Sequence, residues 1–150
     1  MRVEKDFEEF IELLNKNNVE YLIIGAYAFG LYARPRNTGD IDILINRTEK
    51  NAGLIINVLK EFGFKLPDIN KDDFLKEGRV VQLGVSPVRI DLLNSIDGIE
   101  FNKAYAKKNV ASFGTEKANF ISKADLIENK AASGRPKDLA DLEELRKSED

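Results

Sequence analysis

The sequence predicts an α/β (α+β) fold, and three observations predict it. Segments with apolar residues at helical spacing alternate with short apolar runs of strand length. Glycines and prolines punctuate the junctions between them. No repeat, linker or low-complexity tract divides the 150 residues, a length at which about two-thirds of the unfolded surface can be buried in one core. One domain is expected, with an α/β core over 1–121 and helices over 122–150.

Phe7, Phe10, Ile11 and Leu14 recur on a charged background, so residues 5 to 17 read as an amphipathic helix that Asn17-Asn18 ends. Val19 to Ile24 is a continuous apolar run stopping at Gly25, the pattern of a buried strand entering a tight turn. A short helix from Ala26 to about Tyr32 follows, and then Arg34 to Gly39 reads as an exposed loop rich in turn formers. Asp40 to Ile45 alternates, which places both aspartates on one face of a strand and Ile41 and Ile43 on the other. Thr48 caps a helix to about Phe62, with Ile55, Ile56, Leu59 and Phe62 as its buried side and Gly63 as its stop.

Residues 65 to 77 read as a loop with a helical turn around Asp72 to Leu75. Arg79 to Val85 and Val88 to Leu93, separated by Ser86-Pro87, form a predicted β-hairpin whose second strand carries Arg89, Asp91 and Leu93 on one face. A short helix near 101–107 and a strand from Val110 to Phe113 follow. Ser122 with Asp125 resembles a capping box opening a helix to about Ser133, closed by Gly134. Pro136 suits the first turn of a last helix with Leu139, Leu142 and Leu145 as its buried stripe.

Composition narrows the chemistry. Hydrophobic residues make up 43% and charged residues 33%, with a net charge of -3, which gives no overall basic field for nucleic acid. The apolar runs fall far short of the roughly 20 residues a bilayer requires, and the N-terminus has no signal-peptide pattern, so a cytoplasmic protein without a membrane partner is expected. The chain has no Cys and no His, which removes thiol nucleophiles, histidine bases and the usual zinc sites. Any catalytic metal must sit on Asp and Glu carboxylates, and that donor set selects Mg²⁺ or Mn²⁺.

Asp40-x-Asp42 supplies two carboxylates from one strand, and Asp91 supplies a third from another, a set suited to metal-assisted phosphoryl transfer. Without histidine, Asp91 is also the candidate to take the acceptor's proton. Gly25-Ala26 at a strand-to-helix turn offers backbone N–H groups to phosphate. Arg34 and Arg36 lie in the loop leading to the aspartates, either as phosphate contacts or as ordinary loop charges. Thr38, in the same loop, is a nucleotide-side candidate or a brace.

Ile24-Gly25-Ala26-Tyr27-Ala28, followed by Arg34-Pro35-Arg36-Asn37-Thr38-Gly39-Asp40-Ile41-Asp42, resembles the signature of the nucleotidyltransferase superfamily, in particular small prokaryotic members of the AbiEii and minimal nucleotidyltransferase groups. Phe120 to Lys130 and Gly134 to Leu142 resemble the helical C-terminal segment of the same proteins. The resemblance implies a DNA polymerase β-type fold, a mixed sheet flanked by helices. It makes Asp40, Asp42 and Asp91 metal ligands, Gly25 and Ala26 the phosphate turn, and Lys130 a triphosphate contact, with Asp138 positioning Lys130 or Arg135. One departure is Ala26, where a Gly-Ser or Gly-Gly turn is usual.

The activity so implied is Mg²⁺-dependent transfer of a nucleoside monophosphate from a triphosphate, ATP by expectation, to a hydroxyl of a tRNA, a protein side chain or a small molecule. A cognate toxin or antitoxin partner is part of the same expectation. The rival is a non-catalytic nucleotide-binding or antitoxin-like module that keeps the fold, which Ala26 favours and the retained aspartates oppose.

Overall fold

The computed structural model describes residues 4–36, 38–64 and 68–148. Residue 37 of the Arg34–Gly39 loop, residues 65–67 of the predicted 65–77 loop and both chain ends (1–3, 149–150) lie outside the described residues.

The elements run α1 (Lys5–Lys16), β1 (Tyr21–Ile24), α2 (Gly25–Tyr32), β2 (Asp40–Ile45), α3 (Glu49–Phe62), α4 (Asp72–Leu75), β3 (Val80–Leu83), β4 (Arg89–Leu93), α5 (Phe101–Ala106), β5 (Asn109–Phe113), β6 (Glu116–Phe120), α6 (Lys123–Ser133) and α7 (Pro136–Lys147). The six strands form one sheet in the order β3-β4-β2-β1-β6-β5. β2 is parallel to β4 and β1 to β6, while the other three neighbouring pairs are antiparallel, so the sheet is mixed. Among the described residues, no helix is long and apolar enough to cross a membrane.

Local chemistry accounts for most boundaries. Asn18 takes a left-handed φ of 57° just past α1. The Thr48 hydroxyl accepts from the Asn51 N–H at the start of α3, and Gly63 closes that helix at φ 99°. Ser122 caps α6 through the Asp125 N–H, and Pro136 opens α7. The core joins Phe7, Phe10, Ile11 and Leu14 of α1 to all four residues of β1, to Ile41 and Ile43 of β2, and to Ile55, Val58 and Leu59 of α3. Ile56 and Phe62, expected inside, are only partly buried against it: the inward face runs through Ala52, Ile55, Val58 and Leu59, which leaves Ile56 to one side, and Phe62 ends the helix against Phe10 and Phe64.

Two expectations need correction. The region after Asp97-Gly98 holds a second strand, β6, which pairs with β5 through a Gly114-Thr115 turn and lies parallel to β1. Only Ala118 and Phe120 of β6 are fully buried, and this thin apolar signal hides the strand in the sequence. In α7, Leu139 is 49% exposed instead of buried. The inward stripe is Asp138, Asp141, Leu142 and Leu145, the i, i+3, i+4, i+7 face, so two carboxylates occupy positions that the leucine pattern assigned elsewhere.

Candidate active site

The site begins with strand periodicity. Asp40 and Asp42 are the first and third residues of β2, and alternation turns both away from the side filled by Ile41 and Ile43. β4 runs alongside in a register that sets Asp91 beside Asp42 and Arg89 beside Asp40. Each of the three aspartates thereby offers a carboxylate oxygen within 4.8 Å of the others. The β3–β4 hairpin loop supports this edge, since Ser86 and Pro87 pack against Gly39 so closely that a Cβ there would press on them.

Gly25 stands at φ 65°, where a side chain is strained, and a Cβ on it would collide with the Asp42 carboxylate. The glycine therefore lets β1 turn into α2 while the Asp42 carboxylate lies against the backbone. Ile24 makes no side-chain cap, so the first-turn N–H groups of α2, Ala26 among them, have no side-chain oxygen capping them.

The electrostatics are uneven. Arg89 donates from Nε to Asp91 Oδ1 at 3.0 Å, and from Nη2 to Asp91 Oδ2 at 3.1 Å and Asp40 Oδ2 at 3.2 Å. Thr38 Oγ1 donates to Asp40 Oδ1 at 2.9 Å. Asp42 is the member left carrying the strain: burial, then the Asp40 and Asp91 carboxylates, push its carboxyl up to about 6. An all-oxygen set with too little counter-charge fits a hard divalent cation.

The remaining candidates fall into a second cluster. Arg36 stacks over the Phe29 ring at 3.8 Å and grips Asp141 through both terminal nitrogens, at 2.7 and 3.2 Å. Lys130 is buried, its ammonium 3.0 Å from Asp141 and 3.4 Å from Asp138. Asp138 also accepts from Ser133 and from Arg135 Nε. Burial would raise both carboxyls, yet Ser133, Arg135 and Lys130 hold Asp138 below the ordinary range, and Arg36 and Lys130 do the same for Asp141. Arg34 lies outside this cluster, in an exposed two-pronged pair with Glu144.

Thus Asp40, Asp42, Asp91, Gly25 and Thr38 meet at one place, whereas Lys130, Arg34 and Arg36 are engaged by α7 carboxylates. Two cations that the sequence placed but did not assign to the site stand beside it. Strand alternation already set Arg89 on the Asp91 face, and its bond to Asp40 comes from the β2–β4 register. Arg135 is 75% exposed, its Nε held by Asp138, and Asp97 and Asp42 add a weaker attraction through space.

No protein-family profile matches the sequence, and no curated protein does either. Solved structures do match in shape. A Thermotoga maritima protein assigned as a nucleotidyltransferase, TM1012, superposes with a TM-score of 0.65 at 15% identity, over 95% of this chain and 93% of that one. The lincomycin-bound lincosamide antibiotic adenylyltransferase LnuA gives 0.60 at 14% identity, over 98% and 99%. ANT(2'')-Ia in complex with adenylyl-2''-tobramycin gives 0.58 at 15% identity, over 93% and 84%. At these identities the likeness establishes the fold, which is that of the nucleotidyltransferases.

Proposed function

We propose that this protein is a Mg²⁺- or Mn²⁺-dependent nucleotidyltransferase that moves a nucleoside monophosphate from a triphosphate, ATP first among them, to a hydroxyl acceptor. The observation that carries this reading is the convergence of Asp40, Asp42 and Asp91 within 4.8 Å in a nucleotidyltransferase fold. These three would hold the metal, which when bound neutralises the triphosphate and stabilises the entering and leaving oxygens. The acceptor oxygen bonds to the α-phosphorus, the bond to the bridging oxygen of pyrophosphate breaks, and the acceptor proton passes to an Asp91 carboxylate oxygen. Gly25 and Ala26 present the open N–H groups of α2 to phosphate, and Arg135 adds an exposed fork. Lys130 and Asp138 position Arg135 and fix α6 on α7.

A net charge of -3 and the antibiotic-linked neighbours LnuA and ANT(2'')-Ia favour a small hydroxylated acceptor over tRNA or a protein side chain. We place the protein in the cytoplasm and take 1–121 with 122–150 as one functional unit, with a toxin or antitoxin partner as the setting for a protein acceptor. The second reading, a non-catalytic nucleotide-binding or antitoxin-like module, draws on Ala26, which brings no hydroxyl to the phosphate turn.

The test incubates the protein with each α-labelled triphosphate, Mg²⁺ or Mn²⁺, and a panel of aminoglycosides, lincosamides, tRNA and cell lysate, with Asp42→Ala as control. Labelled acceptor that disappears in the variant is the expected result. Triphosphate binding without label on any acceptor would favour the non-catalytic module.

A further inference from the structure

Arg89 does more to the carboxylate cluster than sit beside it. Its fork takes both oxygens of Asp91 and Oδ2 of Asp40, and Thr38 takes Oδ1 of Asp40, so both oxygens of two of the three aspartates already accept hydrogen bonds. Among the described residues, Arg89 is the one cation paired with these carboxylates. It is the first residue of β4, next to the Gly84–Val88 hairpin loop, and a third of its side chain is exposed, so the guanidinium has a route to solvent. Asp91, in contrast, is held in the middle of β4 between β2 and β3 and cannot withdraw.

We propose that Arg89 is an internal counter-cation that competes with the divalent ion for Asp40 and Asp91: it holds the metal-free cluster together and must release it for an ion to enter. This rests on the cluster being the metal site of the proposed function. The physical argument is one of charge and geometry. A guanidinium bridging two carboxylates and an ion chelated by them claim the same oxygens, and two cations a few ångströms apart repel at any dielectric a protein offers. The same contact stabilises the metal-free protein, because without it three carboxylates would face one another alone. Arg89 is thus a positioning residue: it acts on the reaction only through the carboxylates it holds or releases.

The experiment measures Mn²⁺ affinity by the disappearance of its free EPR signal, without nucleotide, for wild type, Arg89→Met, Arg89→Lys and Asp91→Asn, alongside thermal melts with and without Mn²⁺. Arg89→Met should bind Mn²⁺ at least tenfold more tightly than wild type and melt lower without metal, with the gap closing at saturating Mn²⁺. Arg89→Lys keeps the charge but cannot span two carboxylates, and should fall between them while retaining the wild-type fold. A merely structural arginine would lower the melting temperature without tightening Mn²⁺. Wild-type or weaker affinity in both variants, with binding still lost in Asp91→Asn, overturns the competition but leaves the metal site standing. Absence of Mn²⁺ binding in every protein overturns both.

Discussion

Two groups of aspartates are drawn out of water in this chain, and their surroundings push them in opposite directions. In the strand cluster, the carboxylates of Asp40, Asp42 and Asp91 face one guanidinium, and Asp42 is driven up to about 6. In the helical cluster, Asp138 and Asp141 face Arg36, Lys130 and Arg135, and both carboxyls are held below their ordinary range despite burial. The first arrangement costs the metal-free fold free energy, whereas the second fastens α6 and α7 to the loop before β2. A buried acid that its own protein leaves under-neutralised is a candidate functional group. A buried acid with surplus cations marks a joint.

The largest effect that would break this contrast comes from the joint. Asp141→Asn leaves Lys130 and Arg36 without their shared carboxylate, and should destabilise the protein by about 3–5 kcal/mol, the usual cost of breaking a buried pair from one side. For a chain of this size that is a drop of about 10 °C in melting temperature. A loss under 1 kcal/mol by urea denaturation would show that the helical cluster carries no more strength than surface pairs.

Asp42→Asn should act with the opposite sign. It removes the penalised charge, so the metal-free protein gains roughly 1–3 kcal/mol at pH 8 while the stabilisation by Mn²⁺ and the transfer activity are lost. An equal or greater loss of stability, comparable to Asp141→Asn, would erase the distinction between the two clusters.

The pH dependence sharpens the same point. Because the folded protein holds the Asp42 proton up to about 6 against an ordinary 3.8, the native state binds more protons across that window, and stability falls as pH rises through it. The contribution is complete below the unfolded value and gone above the folded one, on the order of 2–3 kcal/mol. Asp138 and Asp141, with lowered carboxyls, contribute the reverse: stability present above the ordinary aspartate range and lost as pH falls below it. Urea midpoints of the metal-free protein should therefore decline between about pH 4 and 6, with the decline absent in Asp42→Asn and a separate collapse at lower pH absent in neither.

The strand cluster was legible in the sequence because strand periodicity is exact: an Asp-x-Asp inside an apolar run must place both carboxylates on one face, and the same rule put Arg89 with Asp91. What the sequence could not supply was the register between β2 and β4, a non-local pairing across 49 residues that turns Arg89 toward Asp40. The helical cluster was misread for the converse reason. The leucines at 139, 142 and 145 imply one inner stripe and the acids at 138 and 141 a solvated face, and only the cations arriving from Arg36 and Lys130 make buried carboxylates at those positions stable. β6 stayed hidden because only Ala118 and Phe120 face the core, one of them small, while Glu116, Lys117 and Asn119 between and before them read as a polar turn.

Ala26 bears on the strand side of the comparison. Serine there would add a hydroxyl to the open N–H groups of α2, and a hydrogen bond to a triphosphate is worth about 1 kcal/mol, or roughly fivefold in affinity. Calorimetry with a non-hydrolysable triphosphate analogue should show Ala26→Ser binding more tightly by about that factor. An unchanged affinity would mean that phosphate does not rest on the α2 turn.

The smallest expected effect belongs to Arg34, which the sequence set beside Arg36 as a phosphate candidate. Both pair with α7, but Arg36 is largely covered, stacked on Phe29 and locked to a buried aspartate, while Arg34 and Glu144 are 60% and 42% exposed. An exposed pair loses to hydration and side-chain entropy most of what its geometry offers, so Arg34→Ala should leave the urea midpoint close to that of the wild type. With its fork turned to Glu144, it should also leave triphosphate affinity within about twofold. A tenfold weakening of the analogue without loss of stability would mean that Arg34 exchanges Glu144 for phosphate, and would assign it to the proposed nucleotide site instead of the surface of α7.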